Sequence, residues 1–287
     1  MPKKKKTGSN TLEVQNAAKT LYANIRFMSP DNPIRSLVLT SSVPNEGKSA
    51  CAFELAKAVA SSGKTVLLVE ADMRRRTMAS LLGVHASAGV YAVLSDQVQL
   101  RDAVVATQTP NLYFLDTEPN IPNPADIISS KRFHKMAAGL ISTYDYVIYD
   151  TPPVGTFVDA AILSTIADGT VMVVKPGMVK RTELVDAYEQ LQKAGANVLG
   201  VCATFCEGTG SEYYYAYYTK DGERVDPDKV ERKASRQQPA AQGARPAVPV
   251  AGRGRAAGQV PAPVAGRQPV RGARPINPGA NGRRIGR

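Results

Sequence analysis

Six short apolar runs recur along the first two thirds of the chain, near residues 36–40, 65–70, 111–115, 146–150, 170–175 and 197–202. They are nearly continuous rather than alternating, the pattern of strands covered on both faces in a parallel sheet. Between them, helical spacing spans 49–61, 124–142 and 181–194. Phe53, Ala56, Val59 and Ala60 share one face of the first helix and turn toward the sheet. The second opens on Pro124 with Asp126 in its first turn. That is a start signal, because proline lacks the N–H that a first turn leaves unpaired and an acid complements the helix dipole. The alternation predicts an α/β fold with a doubly wound, mainly parallel sheet. No internal repeat is visible.

The junction between the first strand and the first helix carries Ser42-Val43-Pro44-Asn45-Glu46-Gly47-Lys48-Ser49, followed by Ala50. A loop ending in Gly-Lys-Ser between a strand and a helix is a phosphate cradle. Backbone N–H groups point at phosphate oxygens, Lys48 reaches the outer phosphates, and the Ser49 hydroxyl ligates magnesium. The usual first glycine of such loops is replaced by Ser42.

Two further strands end in acids. The run 65–69 delivers Glu70-Ala71-Asp72, and 146–149 delivers Asp150, followed by Thr151-Pro152-Pro153. Carboxyl ends of strands form the ligand-binding rim of an open α/β sheet. Magnesium on phosphates keeps several waters and needs few protein oxygens. Ser49 and Asp150 supply that set, leaving Asp72 for proton work or water-mediated metal contact.

Charge divides the chain. Of 36 Lys and Arg and 25 Asp and Glu, residues 231–287 hold 12 and one, so this tail accounts for the whole net charge of +11. Rich in Pro, Gly, Ala and Arg, it lacks the apolar surface to offset its ordering entropy and is expected to be disordered. The expected organisation is a flexible basic N-terminus at 1–11, a P-loop domain at 12–206, a tyrosine segment at 207–230 and the tail at 231–287. Lys3 to Lys6 are followed by polar residues instead of an apolar signal core, and no stretch reaches the roughly 20 apolar residues of a membrane span. Cys51, Cys202 and Cys206 form neither a disulfide framework nor a zinc pattern. Cys51, in the first turn after the loop, is expected to pack.

Tyr213, Tyr214, Tyr215, Tyr217 and Tyr218 place five of the 12 tyrosines within six positions. Three consecutive side chains cannot share one face of a strand, and Gly208, Gly210 and Ser211 precede them. Exposed phenols on such an arm are phosphoryl acceptors, each phosphate adding about −1.5 to −2 charges.

From about Leu12 to Tyr218 the chain resembles the bacterial tyrosine kinases (BY-kinases) of capsule and exopolysaccharide synthesis, within the MinD/ParA-like P-loop ATPases. The matching segments are Ser42–Ser49, Val66–Arg75, Asp145–Pro153 and the tyrosine cluster. Val43 fills the place of the lysine that marks plain MinD/ParA proteins.

The resemblance implies ATP and Mg2+ as cofactors and autophosphorylation of the tail tyrosines between subunits of a homo-oligomeric ring. It implies that Lys48 and Ser49 bind phosphate and metal, that Asp150 holds the metal, and that Asp72 orients or deprotonates the phenol. Arg74, Arg75 and Arg76 are placed to steady phosphates or a neighbouring subunit. The resemblance also implies a cytoplasmic protein recruited to the inner face of the membrane by a membrane-anchored polysaccharide co-polymerase, whose cytoplasmic segment activates it.

The chain departs from the family at three places. Glu70 replaces an aspartate. Asn16, Lys19 and Tyr22 stand where the ring-forming Glu-x-x-Arg-x-x-Arg falls. Thr204 stands where relatives often place an asparagine near the nucleotide base. The alternative reading is a MinD/ParA-like switch ATPase that organises a partner on membrane or nucleic acid, with the basic tail contacting an anionic surface.

Overall fold

The structure, a computed structural model, describes residues 7–206. The tyrosine cluster and the basic tail lie outside the described residues. Seven strands form one sheet: β1 (Ser36–Ser41), β2 (Val66–Glu70), β3 (Val104–Ala106), β4 (Leu112–Leu115), β5 (Tyr146–Asp150), β6 (Gly169–Val174) and β7 (Val198–Ala203). Their order is β3-β4-β2-β5-β1-β6-β7. All neighbours run parallel except β3, which pairs antiparallel with β4.

The helices are α1 (Thr7–Met28), α2 (Lys48–Ser61), α3 (Met78–Leu82), α4 (Val90–Leu94), α5 (Leu100–Ala103), α6 (Pro124–Ile128), α7 (Lys131–Thr143), α8 (Asp159–Ser164) and α9 (Arg181–Lys193). All six expected strands form. The third residue of the antiparallel edge, Ala106, ends a strand too short to leave a periodic signal.

The expected single helix 124–142 is two. Ser130 interrupts it with an extended backbone and accepts the Phe133 N–H on its hydroxyl, which caps α7. Helix α1 begins inside the stretch read as a flexible N-terminus. Its buried positions, Ala18, Tyr22 and Ile25, make only a narrow stripe. Tyr22 stacks edge-to-face on Tyr146 with ring centres 5.5 Å apart. Of the three positions aligned with the ring-forming motif, Lys19 is exposed, Asn16 half-buried and Tyr22 packed in the core.

Alternation along the strands divides the core into two layers. Leu37, Leu39, Leu68 and Ile148 face α1 and α2. Val38, Leu67, Val69, Val147 and Tyr149 face the opposite layer, with Phe133 and Leu140 of α7. Leu55 of α2 is fully buried. Burying a leucine of this kind contributes about 1.5–3 kcal/mol, so the helix that carries the P-loop lysine is fixed by packing. Among the described residues, no helix is long and apolar enough to cross a membrane.

Candidate active site

Strand β1 lies inside the sheet between β5 and β6, and the chain leaves it through Ser42–Gly47 into α2. Gly47 adopts φ +87°, and a side chain there would press into the Phe205 ring at 2.9 Å. Only glycine meets both demands. Helix α2 then starts with the unpaired N–H groups of its first turn directed at the rim, and the first internal bond is Cys51 N–H to the Gly47 carbonyl at 2.9 Å.

The expected phosphate loop divides into two parts. Glu46 is buried, and its Oε2 accepts the backbone N–H of Ser42 at 2.8 Å and of Val43 at 3.0 Å. Its Oε1 accepts the Lys175 N–H at 3.1 Å. The Ser42 and Val43 N–H groups and the Glu46 carboxylate therefore brace the loop instead of facing a phosphate. The cradle that remains open runs from Pro44 and Asn45 through Gly47, Lys48, Ser49 and Ala50.

Three carboxylates converge on Lys48. Its Nζ lies 2.9 Å from Asp150 Oδ1 and 3.9 Å from Asp72 Oδ2, and all three groups are at least nine-tenths buried. Glu70 sits beside Asp150 in the β2–β5 register. Burial, with the neighbouring Asp150, pushes the Glu70 carboxyl up to about 8. Burial also raises Asp72, against the pull of Lys48. Asp72 Oδ1 accepts the Arg75 N–H at 3.0 Å and the Arg74 N–H at 3.3 Å, which fixes the turn after β2.

Asp150 Oδ2 and Glu70 Oε1 are buried without a hydrogen-bond partner. A buried carboxylate oxygen left bare is costly unless a cation or water completes it. The Ser49 hydroxyl lies beside this group, 3.4 Å from Lys48 Nζ, and accepts the Thr77 hydroxyl at 3.2 Å. These are hard oxygen donors of the kind magnesium takes. Among the described residues, no group of three or more His, Cys, Asp or Glu could hold a metal by itself. A metal at Ser49 and Asp150 would complete its shell with phosphate and water oxygens.

The three arginines after Asp72 separate in role. Arg74 grips both oxygens of the buried Asp159 at 3.1 and 3.2 Å and lies 4.2 Å over the Phe157 ring. Arg76 pairs with buried Asp116. Arg75 points at the P-loop, 3.2 Å from Asn45 Oδ1. The partners Asp116 and Asp159 escaped the sequence reading, although Asp116 follows an apolar strand just as Asp72 and Asp150 do. Thr204 reaches the loop from beyond β7, donating its hydroxyl to the Glu46 carbonyl, and Lys175 stacks on Phe205 at 4.6 Å.

A family model described as an AAA domain matches residues 44–199, just over half of the chain. The tyrosine-protein kinase YwqD of Bacillus subtilis is 36% identical over 203 residues, covering 71% of this chain and 86% of that protein. The tyrosine-protein kinase CpsD of Streptococcus agalactiae is 34% identical, with coverage of 69% and 85%. Among solved structures, the chimerical protein CapA2B2 superposes with a TM-score of 0.62 at 33% identity, covering 65% of this chain and 82% of that one.

The fold and site thus define a P-loop α/β domain of the nucleoside-triphosphatase class. Within that class, the chain belongs to the bacterial tyrosine-protein kinases.

Proposed function

We propose that this chain transfers the γ-phosphoryl group of ATP to Tyr213, Tyr214, Tyr215, Tyr217 and Tyr218 of a second copy of itself. The supporting observation is the buried group of Lys48, Asp72 and Asp150 at the mouth of the P-loop, with Lys48 Nζ 2.9 Å from Asp150. When phosphate enters, the Lys48 ammonium has a second anion to serve and neutralises charge on the transferred group. The first-turn N–H groups of α2 hold the phosphates. Magnesium, held by Ser49 and Asp150 with Asp72 in reach through water, would neutralise charge on the bridging phosphate oxygens.

Asp72 orients the incoming phenol and takes its proton as the new O–P bond forms. A free phenol has a pKa of about 10, so it needs a base, and burial makes Asp72 a stronger one than an ordinary carboxylate. The bond from phosphorus to the ADP oxygen breaks, and ADP leaves. Phosphates added to the cluster change its charge and hence its docking. We assign this switch to control of capsular or exopolysaccharide synthesis, with a membrane-anchored activator that presents a cytoplasmic segment and recruits the chain to the inner face of the membrane. The basic tail, with 12 Lys or Arg, is suited to an anionic surface.

The test is to incubate the full chain with magnesium and ATP beside Lys48→Met, with and without an activator's cytoplasmic segment, and to map phosphate by mass spectrometry. Phosphate on the cluster in the intact protein and none in the variant is expected. ATP hydrolysis without phosphotyrosine, even with the segment present, would replace the kinase reading with that of a switch ATPase.

A further inference from the structure

Two of the three cysteines meet beside the P-loop. Cys51 lies in the first turn of α2 and Cys202 near the end of β7, and their sulfurs are 3.6 Å apart. The sequence predicts a packing role for Cys51, and nothing in a separation of 151 residues brings the pair together. Pairing of β7 with β6 does so. Both thiols are free and half-buried. Immediately beyond β7, Thr204 bonds to the Glu46 carbonyl and Phe205 lies against Gly47. The sulfurs therefore connect the first turn of the P-loop helix to the segment that walls the loop.

We propose that Cys51 and Cys202 are a reversible modification site, a dithiol that a peroxide closes to a disulfide, and that the closed form binds nucleotide more weakly. The pair is polarised for this reaction. The Cys51 S–H donates to Cys202 across the 3.6 Å contact, which lowers Cys202 to about 7. The thiolate is the attacking species.

The Cys202 thiolate attacks one oxygen of hydrogen peroxide. The O–O bond breaks, hydroxide leaves and takes a proton to become water, and Cys202 becomes a sulfenic acid. The Cys51 sulfur then attacks the Cys202 sulfur. The S–S bond forms, the S–O bond breaks, and a second water departs with the Cys51 proton. In total, two thiols lose two hydrogens and peroxide is reduced to two waters. A thiol reductant reverses the reaction by exchange.

Bonded sulfurs stand about 2.05 Å apart. Closing a 3.6 Å contact draws the first turn of α2 and the end of β7 together. The N–H groups of Lys48 and Ser49 ride on that turn. A displacement near 1 Å at such a site costs about 10²-fold.

Formation of the bond stands on the thiol geometry alone, whereas its effect on nucleotide rests on the function proposed above. The full chain is treated with hydrogen peroxide, remaining thiols are blocked, and the unreduced digest is mapped by mass spectrometry. Binding of a fluorescent ATP analogue is measured before oxidation, after it, and after added dithiothreitol. A Cys51–Cys202 cross-link is expected in the wild type and in Cys206→Ser, and none in Cys202→Ser.

Affinity should fall by about tenfold or more on oxidation and return with reductant, while Cys202→Ser ignores peroxide. Linkage through Cys206, or over-oxidised Cys202 without linkage to Cys51, overturns the site. Linkage with unchanged affinity overturns its regulatory effect. Reduced protein that binds no nucleotide while the linkage still forms overturns the proposed function and leaves the thiol pair standing.

Discussion

Glu70 holds Thr77 in place: its Oε2 accepts the Thr77 backbone N–H at 2.8 Å, and the same oxygen accepts that of Met78 at 2.9 Å. The Thr77 hydroxyl in turn touches Ser49. The longer side chain that replaces the family's aspartate thus ties the turn after β2 to the metal-side hydroxyl of the P-loop. Shortening it by one methylene in Glu70→Asp withdraws the acceptor from both N–H groups and should cost about 1–3 kcal/mol.

The protonation of Glu70 gives a second, independent readout. Its carboxyl is raised from 4.5 to about 8 on folding. The folded state therefore keeps a proton that the unfolded state releases, and stability falls as pH rises between those values. Glu70→Gln fixes the neutral form. Denaturation of the nucleotide-free protein between about pH 5 and 9 should give a flatter profile for the glutamine variant, which gains about 1–3 kcal/mol over the wild type at the alkaline end. A profile that falls as steeply as the wild type would place the titration on another group.

Glu46 should behave as a brace. Glu46→Ala leaves the N–H groups of Ser42, Val43 and Lys175 without their acceptor, at about 1–3 kcal/mol for each group that water cannot reach. We expect a clear loss of thermal stability together with at least about a tenfold loss of ATP affinity, read by calorimetry. A residue that contacted phosphate directly would lose affinity with its melting temperature unchanged.

The extent to which this site was legible in the sequence follows from where its parts sit in the chain. Lys48, Asp72 and Asp150 each follow an apolar run by a short, fixed distance, and strand ends in a parallel sheet converge on one rim. Their meeting could therefore be read without coordinates. The roles of Ser42 and Val43 could not, because a loop N–H has several acceptors in reach and only the fold decides that Glu46 wins. Asp159, which takes Arg74, and Cys202, which takes Cys51, come from segments with no chemical signature of their own. Helix α1 was missed because its buried stripe is three residues wide, and β3 because three residues carry no period.

Asp72 should set the acid limb of autophosphorylation. As the base it must be ionised, so the rate falls as pH drops through its pKa, and burial moves that point above the usual aspartate value of 3.8. Asp72→Asn should remove this limb and lower the rate by about 10²–10⁴-fold, with ATP affinity changed far less. A variant that loses ATP binding in proportion to rate would make Asp72 a ligand for the metal or nucleotide and not the base.

Gly155 gives a test that changes no charge. The segment after β5 is stitched to the end of β1, with Thr151 N–H on the Leu39 carbonyl at 3.2 Å and Val154 N–H on the Ser41 carbonyl at 2.8 Å. This brings Gly155 so close to the P-loop that a Cβ would collide with the Ser42 carbonyl oxygen. Backbone on both sides cannot yield as a side chain would, so Gly155→Ala must part the loop that leads into Lys48 from the segment that follows Asp150. Gly139, in α7, has open space where a Cβ would stand. Gly139→Ala should be neutral or stabilising by about 0.5–1 kcal/mol. We expect Gly155→Ala to fold yet to lose about 10- to 100-fold in ATP affinity and autophosphorylation, while Gly139→Ala keeps both. Equal behaviour of the two variants would mean that the P-loop tolerates a shift of the Asp150 strand end, and that the Lys48–Asp150 contact is not the geometry on which phosphate binding depends.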